Sequence, residues 1–335
     1  MKKANMIDIA RESGYSIATV SRVLNKTGKY SKEAEEKILK IAEEMQYSPD
    51  IGAQGLRRQK GKSIGVIIPS MDVTYYCLLG QMIQHELLLQ DYYPVFISLG
   101  SREMTADRVF TILRSLNISG LVCISCVFDI PHLLALNVPV VYVNRFFTGV
   151  EMMNSLRYSS IQPDYRQAGY LAAEELAGKG SRKAGYITGL QEENVETKRQ
   201  GFIEFCSYFG MEYVGLPHID AEDLMQAGYK KAEAYYALYP DIDGLYCDTD
   251  ISAAGALTFF REAGIPVPEQ VQLVGYGSLN RDTRYYYDLT HIRIPMEALS
   301  HEAADMIIEM AEGRSGHPRE IVLQMSLARG KTTRP

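Results

Sequence analysis

The sequence lacks most of the features that would announce a membrane protein, a secreted protein or an enzyme. No apolar run approaches the ~20 residues that span a bilayer, and the first residues, MKKANMIDIA, hold no apolar signal-peptide core. A cytoplasmic location with no membrane partner is expected. There is no Gly-rich phosphate loop, no GxSxG elbow and no HExxH pair, and the six histidines are dispersed. These absences speak against an enzyme, and no cofactor, catalytic residue or metal is expected. Cysteines are few and odd in number, at Cys77, Cys123, Cys126, Cys206 and Cys247. Cys123 and Cys126 have CxxC spacing but lie in GLVCISCVF, an apolar run that reads as a buried strand. Their side chains should point to opposite faces of it. No second Cys/His pair completes a zinc site, so both read as reduced core cysteines.

What is present is ordinary in bulk and uneven in distribution. The 335 residues are 46% apolar and 23% charged, enough for two or three domains with their own cores. The net charge of −6 argues against a nucleic-acid partner until it is divided along the chain. Residues 1–62 hold 13 Lys and Arg against 8 Asp and Glu (13 − 8 = +5), and the remainder holds 22 against 33 (22 − 33 = −11). A basic head on an acidic body fits a small DNA-binding domain joined to something else.

The head reads as a helix-turn-helix. Asn5 caps a first helix, with Asp8 in its first turn where the charge favours the helix dipole. Met6, Ile9 and Ala10 recur on one face, and Gly14 can end the helix in a left-handed conformation. Ser16 then caps a second helix from about Ile17 to Leu24. Val20, Val23 and Leu24 turn inward, leaving Thr19, Ser21, Arg22 and Asn25 outside. Such a second helix can lie in the major groove. A third helix, about Ser31 to Gln46, shows Ile38, Ile41, Ala42 and Met45 on one face. YSPDIGAQGLRRQKGK, residues 47–62, then reads as a linker in which Ile51–Leu56 could form a short, glycine-weakened helix.

From Ser63 the pattern becomes strand–helix alternation. Strand candidates are 63–69, 93–99, 120–125 and 139–144, then 183–189, 212–217, 244–249 and 271–277. Between them lie helical stretches such as 75–90, 105–116, 164–178, 196–209, 225–238 and 251–263. Apolar strands alternating with helices imply parallel sheets covered on both faces. The expected fold is therefore a small all-α helix-turn-helix domain plus an α/β two-lobed domain of two parallel, doubly wound sheets. The helix 295–312 and strand 320–325 could return to the first lobe. The domain map is 1–46, a linker 47–62, and 63–335, with an N-lobe of about 63–160 plus 295–325 and a C-lobe of about 161–292. Open parallel sheets bind ligands at the carboxyl ends of their strands. Asp72, Asn144, Arg145, Asp250 and Ser278 follow strands, and Asp164 and Arg199 are placed at helix starts. Carboxylates, amides and arginine suit a hydroxyl-rich small molecule, although Asp164 and Asp250 could equally be helix N-caps.

With these parts in order, the chain resembles the LacI/GalR family of bacterial transcription repressors along nearly all its length. IDIARESGYSIATVSRVLN (7–25) is similar to the family's D-V-A-x-x-A-G-V-S-x-x-T-V-S-R-V-L-N. YSPDIGAQGLRR (47–58), SIGVIIP (63–69), AGYLAAEEL (168–176), RQGF (199–202), REAGIPVPEQVQLVGYG (261–277) and LARGKTT (327–333) follow in family order. The resemblance implies a periplasmic-binding-protein-like body. It also implies base contacts from Ile17, Ala18 and Arg22, positioning contacts from Thr19, Ser21 and Asn25, and a minor-groove wedge at Leu56 beside Ala53. Effector contacts are expected from Asp72, Tyr76, Asn144, Arg145, Asp164, Arg199, Asp250 and Ser278. The chain departs from the family at Asp50 for Asn, Asn144-Arg145 for Asp-Arg, Thr249-Asp250 for Asn-Asp and Gly277-Ser278 for Asp-Asp. PSMDVTYY (69–76) also replaces PDxxNPFF. The expected function is a homodimeric repressor of carbohydrate-utilisation genes. It would bind near-palindromic double-stranded operator DNA under control of a small effector, a sugar, held between the lobes. The alternatives are a periplasmic-type binding protein without a DNA role and a nucleobase-responsive regulator.

Overall fold

The computed structural model describes residues 5–24, 28–45, 47, 61–100, 104–126, 128, 130–145, 158–189, 193–277, 288–315 and 317–335. The chain forms two compact units, residues 1–61 and 62–335. Among the described residues no helix is long and apolar enough to cross a membrane.

Among the described residues the first unit is three helices, α1 (Met6–Ser13), α2 (Ile17–Leu24) and α3 (Lys32–Glu44). Asn5 caps α1 through a capping box. Its side chain accepts from the amides of Ile7 and Asp8, and Asp8 accepts from the Asn5 amide. Such a cap is worth about 1 kcal/mol. Gly14 ends the helix at φ 73°, a left-handed value that is cheap only without a Cβ. Ser31 caps α3 through the Ala34 amide. Ile9, Val20, Val23, Ala34, Ile38 and Ile41 form the core, and Leu24 and Met45 pack at its edge.

Among the described residues the second unit holds two six-stranded sheets. In chain order it runs β1 (Ser63–Ile68), α4 (Thr74–Leu89), β2 (Tyr93–Ser98), α5 (Ala106–Ser115), β3 (Gly120–Ile124), α6 (Ile130–Leu136), β4 (Val140–Val143) and β5 (Tyr158–Pro163). Then come α7 (Tyr165–Gly178), β6 (Lys183–Ile187), α8 (Glu193–Tyr208), β7 (Glu212–Val214), α9 (Leu224–Leu238), β8 (Gly244–Cys247), α10 (Asp250–Glu262) and β9 (Gln272–Gly277). The chain closes with β10 (His291–Arg293), α11 (Met296–Glu312), β11 (Glu320–Leu323) and β12 (Ser326–Ala328). The first sheet has the order β11-β5-β4-β3-β1-β2 and the second β12-β10-β9-β8-β6-β7. All pairings are parallel except β10–β12. Strands β1, β3, β4, β8 and β9 are buried almost throughout, which is why they carry apolar runs rather than alternation.

The chain passes between sheets three times: after β5, through α11 back to β11, and again into β12. The sequence boundary placed near residue 160 falls inside β5, and β5, β10, β12 and α6 were not anticipated. Three of these are short or polar: YSSIQP, HIR and SLA carry too little apolar pattern to stand out from loop. Helices α9 and α10 cross at Gly228 and Gly255. A Cβ would lie 1.9 Å from the Ser252 carbonyl oxygen at the first and 2.1 Å from that of Met225 at the second. Only glycine lets these backbones approach so closely.

Cys123 and Cys126 do not point to opposite faces. Strand β3 ends at Ile124, and Ser125 takes φ 50°, so Cys126 turns back into the cluster that already contains Cys123, Phe110 and Tyr142. Both thiols are buried and reduced, and burial pushes that of Cys123 well up. The alternation rule failed because the strand stopped two residues before Cys126.

Candidate functional site

On α2 the buried residues Val20 and Val23 set the phase, and the opposite face is open. Ile17 is 44% exposed, an apolar side chain left in solvent, with Ala18 and Arg22 exposed beside it. Thr19 and Ser21 are half-buried. The Thr19 amide donates to Ser16 Oγ at 3.1 Å and its hydroxyl lies 2.9 Å from the same oxygen, so Ser16 and Thr19 cap the helix together. The Arg22 stem runs beside Gly28. This is an exposed helix face bearing one guanidinium and two small apolar groups. Such a face can read base edges, since arginine bonds guanine bidentately and apolar side chains meet thymine methyls. Asn25, Ala53 and Leu56, with the linker helix, lie outside the described residues.

In the second unit, polar side chains gather where strands end. Ser125 and Asn144 follow β3 and β4, and both take left-handed conformations, at φ 50° and 67°. The matched turns bring them together. Asn144 Nδ2 donates to the Tyr75 hydroxyl at 2.7 Å and to Ser125 Oγ at 3.1 Å. Asn144 is 7% exposed, and its Oδ1 has no hydrogen-bond partner among the described residues. Tyr75 stacks edge-on with Tyr76, which is half-buried.

At the facing ends of the second sheet, Thr188 follows β6 and Asp248 follows β8. Asp248 is fully buried; Oδ2 accepts from the Thr188 hydroxyl at 2.5 Å and Oδ1 from Ser252 at 3.3 Å. Burial pushes its carboxyl up, opposed by Lys198 and then by the two hydroxyls and Lys231. Lys198 is 3% exposed, donates to the Asp248 carbonyl at 3.2 Å, and sits 3.8 Å above the Tyr276 ring. Burial pushes the Tyr276 hydroxyl well up, helped by the neighbouring phenols of Tyr165, Tyr75, Tyr246 and Tyr186. Tyr75 comes from the first-sheet side, so the tyrosine cluster joins the strand ends of both sheets. Asp250 is buried, its carboxylate packed so closely on Gly277 that a Cβ there would lie 2.5 Å from Oδ2.

The expected site residues are thus divided. Asn144, Asp250 and Tyr76 lie among these strand ends. Asp250 is not the N-cap of α10; Thr249 is, in a capping box with Ser252. Asp164 is the N-cap of α7, accepting from the Gln167 amide at 2.9 Å. Asp72 is exposed and bonded to Ser70, and Arg145 is exposed. Ser278 lies outside the described residues. Arg199 is not at a helix start but seven residues into α8. Its guanidinium pairs with Glu196 at 2.6 and 2.8 Å and reaches Tyr213 on β7. The adjacent Lys198 takes the place at the strand ends. The apolar stripe Val195–Phe202–Cys206 leaves positions 198 and 199 on its opposite flanks, because successive helical residues are 100° apart. Periodicity alone could not choose between them. Tyr75, Tyr165, Tyr276 and Asp248 were missed for a different reason: each reads as ordinary core or strand.

Comparison with known proteins agrees with this layout. Residues 5–50 match the family model "Bacterial regulatory proteins, lacI family", and residues 173–333 match "Periplasmic binding protein-like domain". Residues 5–50 carry a lacI-type domain, and the chain as a whole is similar to that family. Among its relatives are the HTH-type transcriptional repressor PurR of Pectobacterium carotovorum, 26% identical over 91% of this chain and 90% of that one. The ribose operon repressor of Bacillus subtilis is 22% identical over 99% of each. Its fold is similar to that of the lac repressor dimer solved with operator and the anti-inducer ONPF, at 21% identity, a TM-score of 0.81 and 99% coverage of both chains. The two matched models are a bacterial regulator's DNA-binding type and a periplasmic binding protein-like type, and the named relatives are transcriptional repressors, not enzymes.

Proposed function

We propose that the chain is a homodimeric repressor whose α2 helices read a near-palindromic operator, and whose affinity is set by a hydroxyl-rich effector held at the strand ends of the two sheets. The observation that carries this reading is the set of polar groups at those ends: Asn144 on the Tyr75 hydroxyl, Lys198 over the Tyr276 ring, and the buried Asp250 carboxylate against Gly277. An amide oxygen lacking a partner among the described residues at Asn144 accepts a hydroxyl proton, a carboxylate accepts another, and an ammonium donates in return. Apolar ring faces suit the C–H side of a sugar. Asn194, four residues before Lys198 on α8, adds a second buried amide oxygen without a partner among the described residues. Solved relatives of this fold carry cellobiose and ribose. The tyrosine rings also suit a flat nucleobase, which is the second reading.

Two measurements test the proposal. A thermal-shift screen of sugars, sugar phosphates and nucleobases should return a sugar, because a ligand of the native state raises stability by mass action. A nucleobase as the sole stabiliser would reverse the ranking. Operator release by the stabilising compound should then weaken at least tenfold in Lys198→Met and stay near wild type in Arg199→Met. Equal loss in both would remove Lys198 from the site.

A further inference from the structure

Asp248 is a costly group to bury. Taking a carboxylate out of water costs several kcal/mol unless partners compensate, and this one is fully buried at the end of β8. Its partners come from every element around it. Thr188 after β6 and Ser252 in α10 donate to its two oxygens, and Lys198 of α8 donates to its carbonyl. Lys231 of α9 donates to the Thr188 carbonyl. The Lys231 ammonium is half-buried, its pKa pulled down by burial and supported by Asp248. Two ammonium groups therefore stand near one buried carboxylate, each bonded to a backbone carbonyl beside it, and the arrangement ties β6, β8, α8, α9 and α10 together at the ligand end of the sheet. Packing would be served as well by an apolar residue at this position, since buried ion pairs rarely stabilise more than well-packed hydrophobic groups do.

We propose that Asp248 is a positioning residue of the effector response: a buried counter-charge that holds the Lys198 ammonium over Tyr276, at the strand ends of both sheets. The inference rests on reading Lys198 as an effector-facing group. Asp248 itself does not meet the effector, because its oxygens are taken by Thr188 and Ser252. It sets where the charge of Lys198 stands, by placing a buried carboxylate beside the carbonyl that this ammonium bonds.

The test uses the full chain with Asp248→Asn, Lys198→Met and the two combined. Asparagine keeps the shape and one acceptor oxygen, lets its amide donate to the other hydroxyl oxygen, and removes the charge. Each single change should lower the urea midpoint, and the double variant should lose less than both losses together, because it leaves fewer charges unbalanced. Strictly additive losses would overturn the proposal. In lysine-labelled protein, the ε-carbon signal that disappears in Lys198→Met should titrate at lower pH in Asp248→Asn; an unmoved titration would also overturn it. For the effector arm the probes are D-ribose, lactose, cellobiose and adenine, taking the one that most raises the melting temperature of the unaltered chain. Asp248→Asn should weaken that probe at least tenfold while leaving operator binding without probe unchanged. Undiminished probe affinity in Asp248→Asn, with loss in Lys198→Met, would sink the positioning role alone. Undiminished affinity in Lys198→Met would sink the underlying reading of the site, whereas the stability and titration arms judge the ion pair without any ligand.

Discussion

The helical head and the two-sheet body obey different logics. In the head, every feature of the reading face comes from neighbours within a few residues: Asn5 with Asp8, Ser16 with Thr19, Val20 and Val23 setting the phase of Arg22. In the body, the contacts that bring the site together are long-range. Asn144 meets Tyr75 from 69 residues away, and Thr188 meets Asp248 across 60. A helix face is written by a 3.6-residue period; a strand-end site is written by the order in which strands lie. The head can therefore be changed residue by residue, whereas a change in the body propagates through packing.

The largest expected effect breaks the body and spares the head. Gly228→Ala would place a Cβ 1.9 Å from the Ser252 carbonyl, forcing α9 away from α10. The expected loss is about 3 kcal/mol or more, seen as a lowered calorimetric transition of residues 62–335 with that of residues 1–61 unchanged. A matching drop in both transitions would show that the two units fold as one. Next comes Arg22→Ala, the mirror case, which leaves effector-induced stabilisation intact. It should cost about 1–3 kcal/mol of specific operator binding and relax preference at one base pair per half-site, read by selection of binding sites from random DNA. An unchanged binding motif would contradict the role of the α2 face.

A smaller effect is expected at Asn5→Ala. Losing the capping box should destabilise the head by about 1 kcal/mol, measured as a lower urea midpoint for the first unit alone. The smallest concerns His301 on α11, whose pKa is raised by its hydrogen bond to Glu86 on α4 and then by Asp305. A raised folded pKa means the contribution is complete below the ordinary histidine value of about 6.5 and fades as pH rises through the raised one. The imidazole is largely exposed, so after screening the contribution is below about 0.5 kcal/mol. Removing it with His301→Ala should flatten the stability profile just above neutral pH in the body and leave the head's profile untouched.

Much of this was legible before any coordinates. The caps at Asn5 and Ser31, the glycine stop at Gly14 and the inward residues of α2 follow from local chemistry, and all are present. The buried strands of both sheets showed as apolar runs. What escaped was decided by single residues at element ends. Ser125 turned Cys126 back beside Cys123, and YSSIQP formed β5 although half its residues are polar, because β4 and β11 supply partners on both sides.

By itself, the sequence determined the class of protein, the three-helix head with its Arg22 face, and the pattern of strands and helices behind it. These depend on periodicity, capping and charge distribution, which act over a few residues. Only the tertiary structure decided which charged side chain of α8 stands at the strand ends. It also decided that Asp164 spends its carboxylate on a helix cap, and that tyrosines from both sheets converge on Tyr276. The physical reason is that a side chain's direction at a strand end depends on one or two backbone angles and on which distant strand lies beside it. No short stretch of sequence encodes that choice.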